Sequence, residues 1–163
     1  MSRHRAAVAP VLVFGWGNPS RGDDALGPMF AERLQALLEA APPGGVEVLT
    51  DYQLQVEHAL DLAGRQRVLF VDASVDAAPP FEARVLQPAA DAIVMTHALS
   101  PAALLQVFRQ LHDREPPPCT LLAIRGSAFD LGAAPSDAAL ANLALALAWG
   151  RHWLAAPPRV VTA

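Results

Sequence analysis

Between Val11 and Gly27 the chain reads VLVFGWGNPSRGDDALG. Val11 to Phe14 is a short apolar run rich in β-branched residues, the pattern of a strand buried on both faces. Gly15, Gly17, Asn18 and Pro19 then force a sharp exit. Asp23 and Asp24 follow, directly ahead of a helix-patterned segment. A buried strand, a glycine turn and a charged pair at a helix start put acidic groups at the carboxyl end of a sheet. That edge is where open α/β folds bind their ligands.

The rest of the chain repeats this alternation. Residues 8–14 are expected as strand one. Apolar residues at Leu26, Met29, Phe30, Leu34, Leu37 and Leu38 mark a helix from Asp24 to about Ala41, stopped by Pro42-Pro43-Gly44-Gly45. Asp23 or Asp24 falls at its N-cap or first turn, where free amides favour a carboxylate. Val46–Thr50 reads as a second strand, and Val56–Ala63 as a shorter helix ended by Gly64. Val68–Val71 is wholly apolar, hence a central strand, and delivers Asp72 at its end. Glu82–Leu86 alternates as an edge strand does. Ala89–Leu99 fits neither pattern and carries His97. Ser100-Pro101 opens a helix running past Leu111, with Ser as cap and Pro in the first turn. Thr120–Ile124 is a further core strand, and Ser136-Asp137 caps a long Ala/Leu helix to about Leu154. Strands alternating with helices predict a three-layer α/β/α sandwich on a mostly parallel sheet. One domain is expected over residues 1–163, with an ordered core from about 8 to 155.

Composition removes several function classes. The net charge is -4, and the 12 basic residues are all arginines with no basic stripe, so no nucleic-acid partner is expected. No apolar run reaches the roughly 20 residues that span a bilayer, and Met1–Pro10 lacks the apolar centre of a signal peptide. A soluble cytoplasmic protein is the expectation. A single cysteine, Cys119, excludes an internal disulfide and reads as a small buried residue beside an apolar run, not a nucleophile. The dinucleotide fingerprint that Gly15-x-Gly17 begins fails at Ser20, where its third glycine belongs. Neither a P-loop nor a Gly-x-Ser-x-Gly elbow occurs.

Asp24 follows strand one, Asp72 ends strand three, and His97 precedes a helix. If strands one and three are neighbours, both aspartates project over one edge, at the topological switch point. Two carboxylates and an imidazole suit a divalent metal such as nickel or zinc with open positions. They suit acid–base chemistry without a metal equally well. Taken singly, Asp24 is most simply a helix cap, Asp72 a turn residue and His97 a hydrogen-bonded surface histidine. Asp23 is the weaker candidate, because one of two adjacent residues at a helix start usually faces solvent.

The stretch Val13–Gly27 resembles the opening motif of the nickel–iron (NiFe) hydrogenase maturation endopeptidases. Val68-Leu69-Phe70-Val71-Asp72-Ala73 is similar to their third-strand motif, and His97-Ala98-Leu99-Ser100-Pro101 to their histidine segment. Leu122-Ala123-Ile124-Arg125-Gly126, followed by Phe129 and Gly132, is similar to their last strand and loop. The likeness runs in order from about Val11 to Leu154. It implies a twisted, mostly parallel five-stranded sheet between helices. It also implies an endopeptidase that removes the C-terminal extension of a hydrogenase large-subunit precursor after nickel insertion. By the same resemblance Asp24, Asp72 and His97 contact nickel that the substrate supplies, and either the metal or a carboxylate activates water. No organic cofactor, no membrane and a monomer are expected. Two departures stand out. The acid of the first motif is Asp24 where relatives often have glutamate, and Thr50-Asp51-Tyr52-Gln53-Leu54 keeps only the aspartate of an Asp-Gly-Gly-Thr element. A non-catalytic α/β ligand-binding adaptor and a nucleotide-binding enzyme are the alternative readings.

Overall fold

The protein is seen in a computed structural model that describes residues 8–40, 44–89 and 99–156. Among these residues five strands, β1 (Val11–Trp16), β2 (Val46–Asp51), β3 (Arg67–Ser74), β4 (Phe81–Val85) and β5 (Cys119–Arg125), form one sheet in the order β2-β1-β3-β5-β4. β2, β1, β3 and β5 run parallel, and β4 pairs antiparallel to β5 at the edge. The helices are α1 (Leu26–Ala40), α2 (Pro101–His112) and α3 (Asp137–Ala155), with 3-10 turns at Gly22–Ala25 and Val56–Leu62.

Alternation along the strands builds two cores. On β1, Leu12, Phe14 and Trp16 join Phe70, Leu104, Leu105 and Phe108 under α2. Val13 faces the other way, with Leu69, Val71, Leu122, Phe30, Leu34 and Leu143 under α1 and α3. Sheet and two helical layers thus make the three-layer sandwich expected from the alternation. β3 sits at its centre with Val68–Val71 fully buried.

Three of the differences from expectation have a clear physical reason; other ends shift by one or two residues. β1 spans Val11–Trp16 instead of residues 8–14, because Gly15 and Trp16 stay in register with Thr50 and Asp51 of β2. Gly15 is there for clearance: a Cβ on it would collide with the Gly27 carbonyl oxygen, so α1 lies almost against the strand. β3 continues past Val71, and Asp72 lies inside it opposite Ala123, because β5 keeps pairing through Arg125. The segment after β2 is a 3-10 helix with Ala59 and Leu62, three apart, turned inward while Val56 and Leu60 remain exposed. The caps at Ser100 and Ser136 form as read: each hydroxyl accepts from an amide three residues on, Ala103 at 3.1 Å and Ala139 at 3.2 Å.

Arg67, the first residue of β3, closes the far end of α3. Its Nη1 and Nη2 donate to the carbonyls of Trp153 (2.8 Å) and Leu154 (2.9 Å), and its guanidinium stacks 4.2 Å from the Trp153 ring centre. The negative end of a helix dipole favours such a cation, although burial lowers its pKa. Arg67→Ala is expected to cost about 2 kcal/mol of stability through two freed carbonyls and a lost stack. Urea unfolding measures this, and an unchanged midpoint would remove the cap from the account. Cys119 is 2% exposed, and burial pushes its thiol up to about 12. Native protein at pH 8 should therefore resist alkylation by iodoacetamide and react only once unfolded, as intact mass would show.

Candidate active site at the carboxyl edge of the sheet

The order β2-β1-β3 makes the gap between β1 and β3 the switch point: the chain leaves β1 toward β2 and returns across it to β3. The loop after β1 stands over that gap. It turns at Gly17 (φ +147°), where a Cβ would strike the Asp24 carbonyl oxygen. The Gly17 amide donates to the Asp51 carbonyl at 3.1 Å, which ties the turn to the end of β2. Asn18 then holds the loop. Its side-chain oxygen accepts from the Ser20 amide at 2.9 Å, and its own amide donates to Asp24 Oδ2 at 2.7 Å. Asp24 is therefore not a cap on α1. Its carboxylate turns back over the strand end, and Oδ1 has no hydrogen-bond partner among the described residues.

Asp72 faces it from β3. It is half-buried, and among the described residues no side chain donates a hydrogen bond to it. Its carboxyl is pushed up to about 7 by burial and by the negative charge of Asp24, against a smaller opposing effect of the Ala73 amide. Asp24 and Asp72 are thus brought together at the switch point. Two carboxylates that repel, each with few protein donors, are satisfied by a shared proton or by a cation between them. His97 lies outside the described residues, so the third member of the set has no described position. Among the described residues no group of three metal-ligating side chains occurs.

Asp23 corrects the expectation that it faces solvent. It is fully buried and accepts four hydrogen bonds. Oδ2 takes the amides of Ser127 (2.8 Å) and Ala128 (3.0 Å) and the Ser136 hydroxyl (2.9 Å); Oδ1 takes the Ser136 amide (2.7 Å). Burial alone would raise its pKa, but the Ser127, Ser136 and Ala128 amides and the Ser136 hydroxyl outweigh it, and the carboxyl stays below its ordinary value. Amide bonds from Gly22 to Ala133, Asp23 to Ala128 and Gly132 to Ser20 complete the seam. Asp23 thus belts the loop carrying Asp24 to the loop after β5 and to the start of α3.

Sequence reasoning also missed His58. Its Nε2 donates to Asp51 Oδ2 at 3.1 Å, its Nδ1 accepts from the Gln55 amide at 2.8 Å, and its ring meets Phe14 edge-on at 4.7 Å. Those bonds require the Nε2–H tautomer if the imidazole is neutral. Asp51 Oδ1 accepts from the Tyr52 amide at 2.6 Å. With both oxygens engaged, Asp51 folds the turn after β2, in contrast to Asp72, to which no side chain donates among the described residues. The seven-residue gap from Asp51 to His58 carries no usable signal, because it runs from a strand end into a 3-10 turn and not along one helix.

The arrangement has counterparts among solved structures. The protein superposes on a hydrogenase maturating endopeptidase, HybD, from E. coli with a TM-score of 0.66 and 25% identity over 88% of this chain and 91% of that one. The fold is that of the hydrogenase maturation proteases. A NiFe hydrogenase maturation protease, HycI, from Thermococcus kodakarensis matches at a TM-score of 0.67 and 24% identity, over 88% of this chain and 91% of that one. A hydrogenase 2 maturation peptidase from a Thaumarchaeota archaeon matches at 0.63 and 22%, over 89% and 97%. No family model matches the chain, and no curated protein does. No helix among the described residues is long and apolar enough to cross a membrane.

Proposed function

We propose that this protein is a cytoplasmic, monomeric endopeptidase that removes the C-terminal extension of a NiFe-hydrogenase large-subunit precursor once nickel has been inserted. The observation that carries the reading is the facing pair Asp24 and Asp72 at the β1/β3 switch point of a maturation-protease fold. Nickel is cargo here: it arrives held by the precursor. The carboxylates of Asp24 and Asp72 and the imidazole of His97 complete its surroundings from the protease side. The three side chains lose their common ligand when the precursor is empty, so docking reports nickel loading. An incoming divalent ion also relieves the repulsion between Asp24 and Asp72 that burial leaves in place. Cleavage uses a water polarised by the bound metal or activated by one of the carboxylates. No organic cofactor takes part.

The test mixes purified protein with nickel-loaded and nickel-free precursor and measures the large subunit by intact mass. Shortening of the loaded precursor alone is expected. Binding of the loaded precursor without any change in its mass would leave a non-catalytic adaptor instead.

A further inference from the structure

β2 is an edge strand. It pairs with β1, and among the described residues no other strand covers its outer main-chain edge. Alongside that edge a groove of about 330 Å³ runs between β2 and α1. Ala31, Ala36 and Val48 give it a small, apolar lining, and Glu32, Gln35, Glu39 and Thr50 its polar walls. Glu32 and Glu39 are exposed, and neither joins an ion pair among the described residues. Glu39 accepts one bond from Gln35, at 3.3 Å. α1 begins at the carboxyl edge, where Gly27 lies against Trp16, and runs back down the sheet. Glu32 and Thr50 are therefore at the end of the groove nearer Asp24 and Asp72.

We infer that the β2 edge and this groove seat an extended, cationic segment of the precursor by strand addition. Main-chain bonds to β2 hold it, and alternate side chains enter the groove, with Lys or Arg against Glu32 and Glu39. The inference rests on the endopeptidase reading for the identity of the partner. The geometry permits one chain to fill both places: at about 4.8 Å per strand, an added strand lies roughly 14 Å from β3, four or five extended residues from Asp72. A second copy of this chain is the wrong occupant. Pairing two β2 edges about a twofold axis would set the Glu32 and Glu39 walls of both copies against each other, in a chain already at net charge -4.

The test uses a fluorescein-labelled Lys-Val-Lys-Val-Lys-Val peptide, its Glu-Val counterpart and the whole protein, with no nickel and no cleavage. The lysine peptide should bind at least tenfold more tightly than the glutamate peptide and shift the amide resonances of Val46–Asp51. The Glu32→Arg/Glu39→Arg protein should bind it at least tenfold more weakly. In precursor processing that double variant should raise KM about tenfold and leave kcat unchanged. Equal affinity for the two peptides, shifts confined to residues away from β2, or an unchanged KM in the double variant would overturn the inference. So would sedimentation showing self-association that the double variant abolishes. If the lysine peptide maps to β2 while no precursor is ever shortened, the docking edge stands and the endopeptidase reading fails.

Discussion

Replacing Asp72 by asparagine is expected to make the protein more stable at pH 8 while ending precursor processing. Asp72 titrates near 7 in the folded chain, against an ordinary value of 3.8, because burial and the charge of Asp24 both disfavour its ionised form. The sign follows from linkage. Between 3.8 and about 7 the folded state binds the Asp72 proton and the unfolded state has released it, so this group makes stability fall as pH rises through that window. Above pH 7 the loss is complete. At 1.36 kcal/mol per unit it is on the order of 4 kcal/mol. Asparagine keeps the shape and carries no charge to desolvate or repel. Chemical denaturation at pH 5 and pH 8 should show a gain for the variant of about 2 kcal/mol at the lower pH, rising to about 4 kcal/mol at the higher. The neutral amide cannot balance a divalent ion, so nickel-loaded precursor should remain uncleaved by the same protein. Equal stability of the two proteins at both pH values would mean Asp72 is not strained by its surroundings. A gain in stability coupled to loss of activity marks a residue kept for what it binds.

The sheet was legible because its strands carry their instructions locally. Val68–Val71 has no polar residue, and an all-apolar strand has to be central; Glu82–Leu86 alternates, and an alternating strand at Pro-Pro has to be at an edge. The serine caps at Ser100 and Ser136 were legible for the same reason: capping is chemistry between neighbours in sequence. What escaped was set by distance along the chain. Gly15 looked like the end of a strand because its partner is the Gly27 carbonyl, on the helix that follows. Asp23 looked solvent-facing because its donors lie at Ser127, Ala128 and Ser136, more than a hundred residues on. The neighbourhood of Asp24 and Asp72 was legible from topology, since adjacent parallel strands end at one edge, but which oxygens would be satisfied depended on loop geometry that no periodicity encodes. His97 rests on its motif alone.

The second large effect is at Asp23, where alanine is expected to destabilise the protein by about 4 kcal/mol and lower its melting temperature by about 10 °C. The substitution removes the fully buried carboxylate and leaves the Ser127, Ala128 and Ser136 amides without their acceptor. An amide donor without a partner costs about 1–3 kcal/mol. Asparagine should rescue little. With its oxygen in the Oδ2 position, facing Ser127 and Ala128, its NH2 group points at the Ser136 N–H, donor against donor. Ser136→Ala supplies the scale, since it loses the α3 cap and one bond to Asp23 but leaves all three amides satisfied, at about 1 kcal/mol. The pH signature separates this carboxylate from Asp72. Its folded pKa is below 3.8, so its contribution is fully present above 3.8 and disappears as pH falls through the folded value. Wild-type protein should therefore lose stability in acid by a step that Asp23→Ala lacks. Were the alanine and wild-type proteins to unfold with parallel acid profiles and similar midpoints, the belt would be incidental to the fold. If the belt does hold, its failure reaches the site directly, because the residue after Asp23 in the chain is Asp24. A loop released from the α3 cap can no longer aim that carboxylate at Asp72, and processing at temperatures well below the melting point should fall along with stability.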